Sequence, residues 1–305
     1  MDPVPCVLFV FVDGLGLGRA DAARNPCTSA GLSLFDSFQD VPRRAPLPFG
    51  GRLVPLAADL GIPGKPQSAT GQTVLFTGQN AAKAIGGHLW AFPNAQLRAL
   101  IDEHSLFRAV TGRGYRATFA NAYRPEFFTT PYEDMLARIS VTTHSVRAAG
   151  LRYRTLDDLR ANEAVYHDIR REHARAHGFD VPLVTPAEAG RHLAALTRAH
   201  HLTVWEYFLT DISGHRGEWS VAERTLLDLE ALLVACLGEL DLERTTVVLS
   251  SDHGNIEDLS TRGHTENPVQ TLIWGRGAER LAASLGTLLD VYPGILALFE
   301  NAPAA

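Results

Sequence analysis

The chain has 305 residues, 46% of them hydrophobic, enough to bury a sizeable core, and a formal net charge of −6. That balance leaves no basic footprint, so nucleic acid is not an expected partner. Cys6, Cys27 and Cys236 are scattered, with no Cys-x-x-Cys, which argues against a disulfide framework or a thiolate zinc site and suits a reducing compartment. The N-terminal apolar run has no basic flank before it and is too short to span a bilayer. The expectation is a cytoplasmic protein with no membrane partner.

Val7 to Val12 (VLFVFV) is a continuous apolar run and predicts a central parallel strand covered on both faces. It ends at Asp13, and Gly14-Leu15-Gly16-Leu17-Gly18 follows. This spacing is G-x-G-x-G, not the G-x-G-x-x-G of a dinucleotide loop. Asp13 reads as a ligand at a strand end, with glycines giving room around it, or as a turn residue. Residues 40 to 66 are rich in Pro and Gly and predict loop with short strands. Pro66 to Thr73 (PQSATGQT) then leads into a helix predicted over Val74 to Lys83. Ser68 or Thr70 either caps that helix or presents a hydroxyl to a phosphoryl group at its positive end.

Leu106 to Gly114 predicts a helix closed by glycine, and Tyr115 to Ala120 a strand. Between Tyr123 and about Val184 the pattern changes. No strongly buried strand is visible, and charged residues dominate, among them Arg138, Arg147, Arg152, Arg154, Arg160, Arg170, Arg171 and Arg175. This predicts a mainly helical insertion, with Thr155 to Ala174 its clearest helix. Its arginines form a solvated face or clamp an anionic substrate.

Thr185-Pro186-Ala187-Glu188 has the pattern of a capping box and starts a helix that runs to about His200. Leu202 to Leu209 predicts a strand, and Asp211 closes it. His215 comes four residues later, so a helical turn would put both side chains on one face. Trp219 to Gly238 predicts an amphipathic helix. Val247 to Leu249 predicts a buried strand, which delivers Asp252 and His253 to its carboxyl end. Ligands of open α/β sheets bind there. An adjacent Asp–His pair offers a hard oxygen and an imidazole nitrogen to a divalent cation. Taken alone, the pair also reads as a helix cap beside a polar His. His264 lies in the following loop, Val269 to Trp274 predicts a last strand, and Leu289 to Glu300 a closing helix.

Four strand ends or loops therefore carry candidate ligands: Asp13, Asp211 with His215, Asp252 with His253, and His264. A fifth carries Ser68. The segments VDGLG, TDISGH, SSDHGNIED and GHTENPV, in this order, resemble the alkaline phosphatase superfamily, in its branch of cofactor-independent phosphoglycerate mutase and phosphopentomutase. The resemblance covers roughly residues 1–121 and 185–305. It implies an α/β fold of three αβα layers with a mostly parallel sheet, and makes residues 122–184 a small helical insertion, or cap. It also implies two divalent metal ions, Zn or Mn. One would be held by Asp211, His215 and His264. The other would be held by Asp13, Asp252, His253 and the Ser68 oxygen. Three carboxylates and a Ser68 alkoxide then balance two divalent charges.

The nucleophile segment departs from the mutase pattern Asn-Ser-Glu-x-Gly-His: here it is Gln67-Ser68-Ala69-Thr70-Gly71-Gln72. The insertion is also far shorter than the substrate-clamping domain of the mutase. No Cys-x-Pro-x-Arg sequence is present, which argues against a formylglycine sulfatase. The expected function is metal-dependent hydrolysis of a small phosphate monoester through a phosphoserine at Ser68, with Thr70 as the rival nucleophile. The alternatives are a phosphomutase, a nucleotide-binding oxidoreductase that uses Gly14 to Gly18, and a non-catalytic metal-binding protein.

Overall fold

The computed structural model describes residues 5–43 and 45–300, so the extreme ends of the two core segments and Arg44 lie outside it. Six strands form one sheet: β1 (Cys6–Val12), β2 (Arg52–Leu56), β3 (Ala117–Phe119), β4 (Leu202–Tyr207), β5 (Thr245–Ser250) and β6 (Val269–Gly275). Their order is β2-β6-β5-β1-β4-β3. β1 pairs in parallel with β4 and β5, and β3 in parallel with β4. β6 runs antiparallel to both β5 and β2. The sheet is therefore mostly parallel.

The layers follow from β1, whose side chains alternate between two cores. Val7, Phe9 and Phe11 face one core, built with Val74 and Phe76 of helix Ser68–Thr77 and with Phe107, Val146 and Ile295. Leu8, Val10 and Val12 face the other, built with Leu193 of helix Pro186–Ala199 and Leu226, Leu229 and Leu233 of helix Trp219–Glu239. A strand apolar at every position is what a sheet with helices on both faces requires. The helix Pro186–Ala199 begins with the expected capping box between Thr185 and Glu188. Among the described residues, no helix is long and apolar enough to cross a membrane.

Three predicted elements differ most in their bounds, while the strands expected over Tyr115–Ala120 and Leu202–Leu209 shorten to Ala117–Phe119 and Leu202–Tyr207. The helix expected over Val74–Lys83 begins at Ser68 and stops at Thr77, where Gly78 turns left-handed at φ 68°; a short helix, Ala81–Ile85, follows. Ser68 is thus the first helical residue, and Gln67 is the cap. The helix expected over Thr155–Ala174 is two short pieces, Leu156–Arg160 and Glu172–Ala176. Asn162, Ile169 and Arg171 between them all have positive φ, which ends α-helix. Tyr166 of that stretch is buried in a small cluster with Leu156, Leu159, Ala174 and Val181. The closing helix is confined to Val291–Ala297.

Within residues 122–184, helix Val141–Ala148 packs on the sheet side, where Val141 and Val146 join the core. The arginines there are mostly engaged. Arg152 pairs with Asp158 at 2.7 Å and Arg170 with Asp228 at 2.6 Å, while Arg154 donates to Thr118 Oγ1 at 2.9 Å.

Candidate metal centre

The centre forms where β1, β4 and β5 end, side by side. β1 delivers Asp13. β4 passes into helix Leu209–Arg216, which carries Asp211 and His215 one turn apart. β5 passes into the turn with Asp252 and His253. Helix Ser68–Thr77 starts above them, and Gly71 permits its close approach, because a Cβ there would stand 2.7 Å from the Asp252 carbonyl oxygen.

Two groups of ligand atoms result. Asp13, Asp252 and His253 make the first, fully buried, group. His253 Nε2 lies 3.3 Å from Asp13 Oδ1, 3.5 Å from Asp252 Oδ2 and 2.9 Å from Ser68 Oγ. Asp211, His253 and His264 make the second. His215 stands beside it, with Nε2 3.3 Å from Asp211 Oδ2, and His264 Nε2 is 3.5 Å from Asp211 Oδ1. The His253 and His264 rings stack at 3.6 Å, so His253 lies between the two groups. All seven residues singled out in the sequence thus meet at one place.

Thr70 does not join them. It is fully buried, and its Oγ1 donates to the Gln67 carbonyl at 3.0 Å. The glycine run is not a dinucleotide loop either. Asp13 to Gly18 are all buried, the run leads into loop and not directly into an α-helix, and Gly16 packs so tightly that a Cβ would meet Glu257 Oε1 at 2.3 Å.

The electrostatics fit divalent cations. Burial first, then Asp252 and Asp211, push the Asp13 carboxyl well above its ordinary range. Burial and Asp211 push Asp252 up to about 7. Among the described residues, no Lys or Arg forms an ion pair with Asp13, Asp211 or Asp252. Asp13 Oδ1 is buried and accepts no hydrogen bond. Buried carboxylates without a compensating charge are costly. The imidazoles are set up as ligands as well. His215 Nδ1 lies 2.6 Å from the Arg262 carbonyl and His264 Nδ1 2.9 Å from the Pro66 carbonyl. Each Nδ1–H donates there, leaving the Nε2 lone pair turned to Asp211. Burial, then His264, holds His253 down at about 3, so its imidazole is neutral. Mixed carboxylate and imidazole donors suit Zn or Mn better than Mg or Ca.

Three residues of the site had no role in the sequence reading. Gln72 Nε2 donates to Asp13 Oδ2 and Asp252 Oδ2, each at 3.1 Å, and so holds the two carboxylates together. Glu257 accepts from the N–H groups of Gly16 and Asn255 at 2.9 and 2.8 Å, and from Thr265 Oγ1 and Asn267 Nδ2, which fixes the Asp252–Asn255 turn. Glu206, on β4, accepts from Thr142 Oγ1 at 2.8 Å and faces the same cavity as Ser68. An acid inside the apolar run LTVWEYFL, five residues before Asp211, was the available signal.

Burial pushes Glu206 up to about 7. A carboxyl raised in the folded state supports folding fully below its unfolded value near 4.3, and that support is lost as pH rises to about 7. The loss is about 4 kcal/mol at 1.36 kcal/mol per unit. In metal-free protein, Glu206→Gln should therefore melt several degrees above wild type at pH 8 and close to it at pH 4.5. The same gap at both pH values would contradict this.

The comparisons with known proteins follow the same lines. Residues 186–302 match a family model described as the Metalloenzyme superfamily. The 2,3-bisphosphoglycerate-independent phosphoglycerate mutase of Dinoroseobacter shibae is 32% identical over 115 residues, covering 35% of this chain and 23% of that enzyme. The mutase of the same name from Methylobacillus flagellatus is 24% identical over 112 residues, 34% of this chain and 22% of its own. The chain spans less than a quarter of the length of these curated relatives. In fold, it is similar to the PH0037 protein from Pyrococcus horikoshii, with a TM-score of 0.58, 15% identity and 99% of each chain covered. It is also similar to the alkaline phosphatase from the Antarctic bacterium TAB5, with a TM-score of 0.55, 13% identity, and 98% and 99% covered. Residues 186–302 thus match the Metalloenzyme superfamily, and the fold of the chain is similar to that of an alkaline phosphatase. That family implies divalent metal ions and an enzyme; the curated relatives matched within it are cofactor-independent phosphoglycerate mutases.

Proposed function

We propose that the chain is a two-metal phosphatase that transfers the phosphoryl group of a phosphate monoester to Ser68 and then to water. One ion is assigned to Asp211, His215 and His264, the other to Asp13, Asp252, His253 and the Ser68 oxygen. When bound, such ions lower the serine pKa and neutralise the transferred phosphoryl oxygens. The observation that carries the reading is the position of Ser68. Its Oγ sits at the first turn of a helix, 2.9 Å from His253 Nε2, and on the wall of a cavity of about 630 Å³.

Ser68 Oγ gives its proton to solvent water and bonds to phosphorus while the ester P–O bond breaks. The leaving oxygen takes a proton from water. The first N–H groups of helix Ser68–Thr77 have no partners within the helix and favour the phosphate anion. Water then attacks the phosphoserine, releasing inorganic phosphate and restoring Ser68. Residues 123–167 supply one wall of the cavity, through Tyr123, Phe127, Thr143 and Tyr166. They are placed to cover the substrate.

The second reading is a phosphomutase, favoured by the mutase relatives. It differs in the acceptor, which would be another oxygen of the same molecule. The two separate in one assay with Mn or Zn and a panel of phosphate monoesters. Inorganic phosphate released in step with substrate consumed supports the phosphatase. An isomeric phosphate ester without phosphate release supports the mutase.

A further inference from the structure

The cavity beside Ser68 is built for a particular kind of leaving group. Its floor holds Asp13, Ser68 and Asp211, so whatever fills it is continuous with the metal centre. The rest of the wall carries six Phe and Tyr rings, interspersed with the neutral polar groups of Gln72, Asn121, Thr130, Ser140 and Thr143. Phe119, Tyr123 and Phe127 form one face, with Tyr123 and Phe127 rings 4.3 Å apart and Phe119 and Tyr123 rings 6.3 Å apart. Phe208, also on the wall, stacks on His167 at 5.0 Å and 21°. Phe92, 40% exposed, stands at the rim.

The charges point the same way. Apart from the two aspartates of the floor, the wall carries Glu126, Glu206 and a single fixed cation, Arg124. Burial holds His167 down at about 3, so it adds no positive charge. None of Arg152, Arg154, Arg170 and Arg171 reaches the cavity wall. A leaving group with its own carboxylate or second phosphate would meet two carboxyl groups and one guanidinium. A flat apolar group would meet aromatic faces, which prefer offset or edge-on ring partners and gain from burial.

We infer that this cavity selects phosphate monoesters of flat, apolar alcohols, of the aryl type, over esters of hydroxy acids and sugars. The inference rests on the phosphoryl-transfer reading and names the substrate class for it. Phe127 and Phe92 are the specificity-determining residues, and they act on binding of the leaving group.

Aryl esters are intrinsically more reactive, so the test reads binding, not turnover. Three non-hydrolysable phosphonates are titrated calorimetrically into wild-type protein loaded with Mn: 1-naphthylmethylphosphonate, methylphosphonate and 3-phosphonopropionate. The naphthyl compound should bind at least tenfold tighter than methylphosphonate, and phosphonopropionate no tighter. Phe127→Ala and, separately, Phe92→Ala should each shrink the naphthyl advantage by threefold or more. Two variants guard against the misfolding of one. Methylphosphonate binding without a naphthyl advantage, or tighter phosphonopropionate, overturns the substrate class and leaves the phosphoryl-transfer reading standing. Failure of all three to bind overturns both.

Discussion

Replacing Ser68 with Ala should lower kcat by at least about 10³-fold, because a nucleophilic route cannot run without its nucleophile. The fold should survive. Ser68 Oγ makes its contact with His253, and the cap of the helix is Gln67. Thr70→Ala should change kcat by less than about tenfold, since Thr70 is buried away from the cavity and bonds to the Gln67 carbonyl. The pair of variants discriminates between the two hydroxyls at the start of this helix. Steady-state rates on an aryl phosphate with Mn or Zn, with circular dichroism as a control for folding, decide it. Comparable losses in both variants would remove the basis for choosing Ser68.

Asp252→Asn should lose metal and activity together. Asp252 is fully buried and lies in the group with Asp13 and His253. Asn keeps the shape and removes the charge that a cation requires. A second, opposite effect should appear without metal. Burial and Asp211 raise Asp252 to about 7, so its charged form opposes folding of the metal-free protein at higher pH. With the group raised in the folded state, stability falls as pH climbs from about 4 to about 7. Metal-free Asp252→Asn should therefore melt at or above wild type at pH 8. Added Mn or Zn should raise its melting temperature far less than that of wild type, because only a ligand that binds the native state stabilises it. Elemental analysis provides the direct count: full occupancy with unchanged turnover in this variant would sink the assignment.

The parts of the fold legible in the sequence are those written in local chemistry. VLFVFV is apolar at every position, as is the Val247–Leu249 centre of β5, and a strand covered on both faces favours that pattern. The Thr185–Glu188 capping box was legible because both partners lie within one turn. The direction of β6 was not. An apolar run carries no sign of whether it pairs in parallel, and β6 turns out antiparallel to β5. The break between Leu156–Arg160 and Glu172–Ala176 was hidden too. Asn162, Ile169 and Arg171 take positive φ where tertiary contacts hold them, among them the bond from Arg171 to Asn162 Oδ1 at 3.0 Å.

The same division holds for the site. Asp13, Asp211, Asp252 and His253 were visible because each follows an apolar strand. Gln72 was visible only as a departure from a pattern. Its two carboxylate partners lie 59 and 180 residues away, so no local signal announces its role. Glu206 and Glu257 share that problem: the groups that give them meaning belong to other elements. The insertion's arginines drew attention by number, yet among them Arg124 alone lines the cavity, beside the aromatic residues Tyr123, Phe127 and Tyr166.

The central claim is that Ser68 carries the phosphoryl group between substrate and acceptor. Metal-loaded enzyme is mixed with an aryl phosphate, quenched in acid within the first turnovers, digested and mapped by mass spectrometry. The account predicts one phosphorylated peptide with the phosphate on Ser68, at up to one equivalent per chain. Phosphate on Thr70, or steady turnover by the intact enzyme with no covalent intermediate at any quench time, would contradict it.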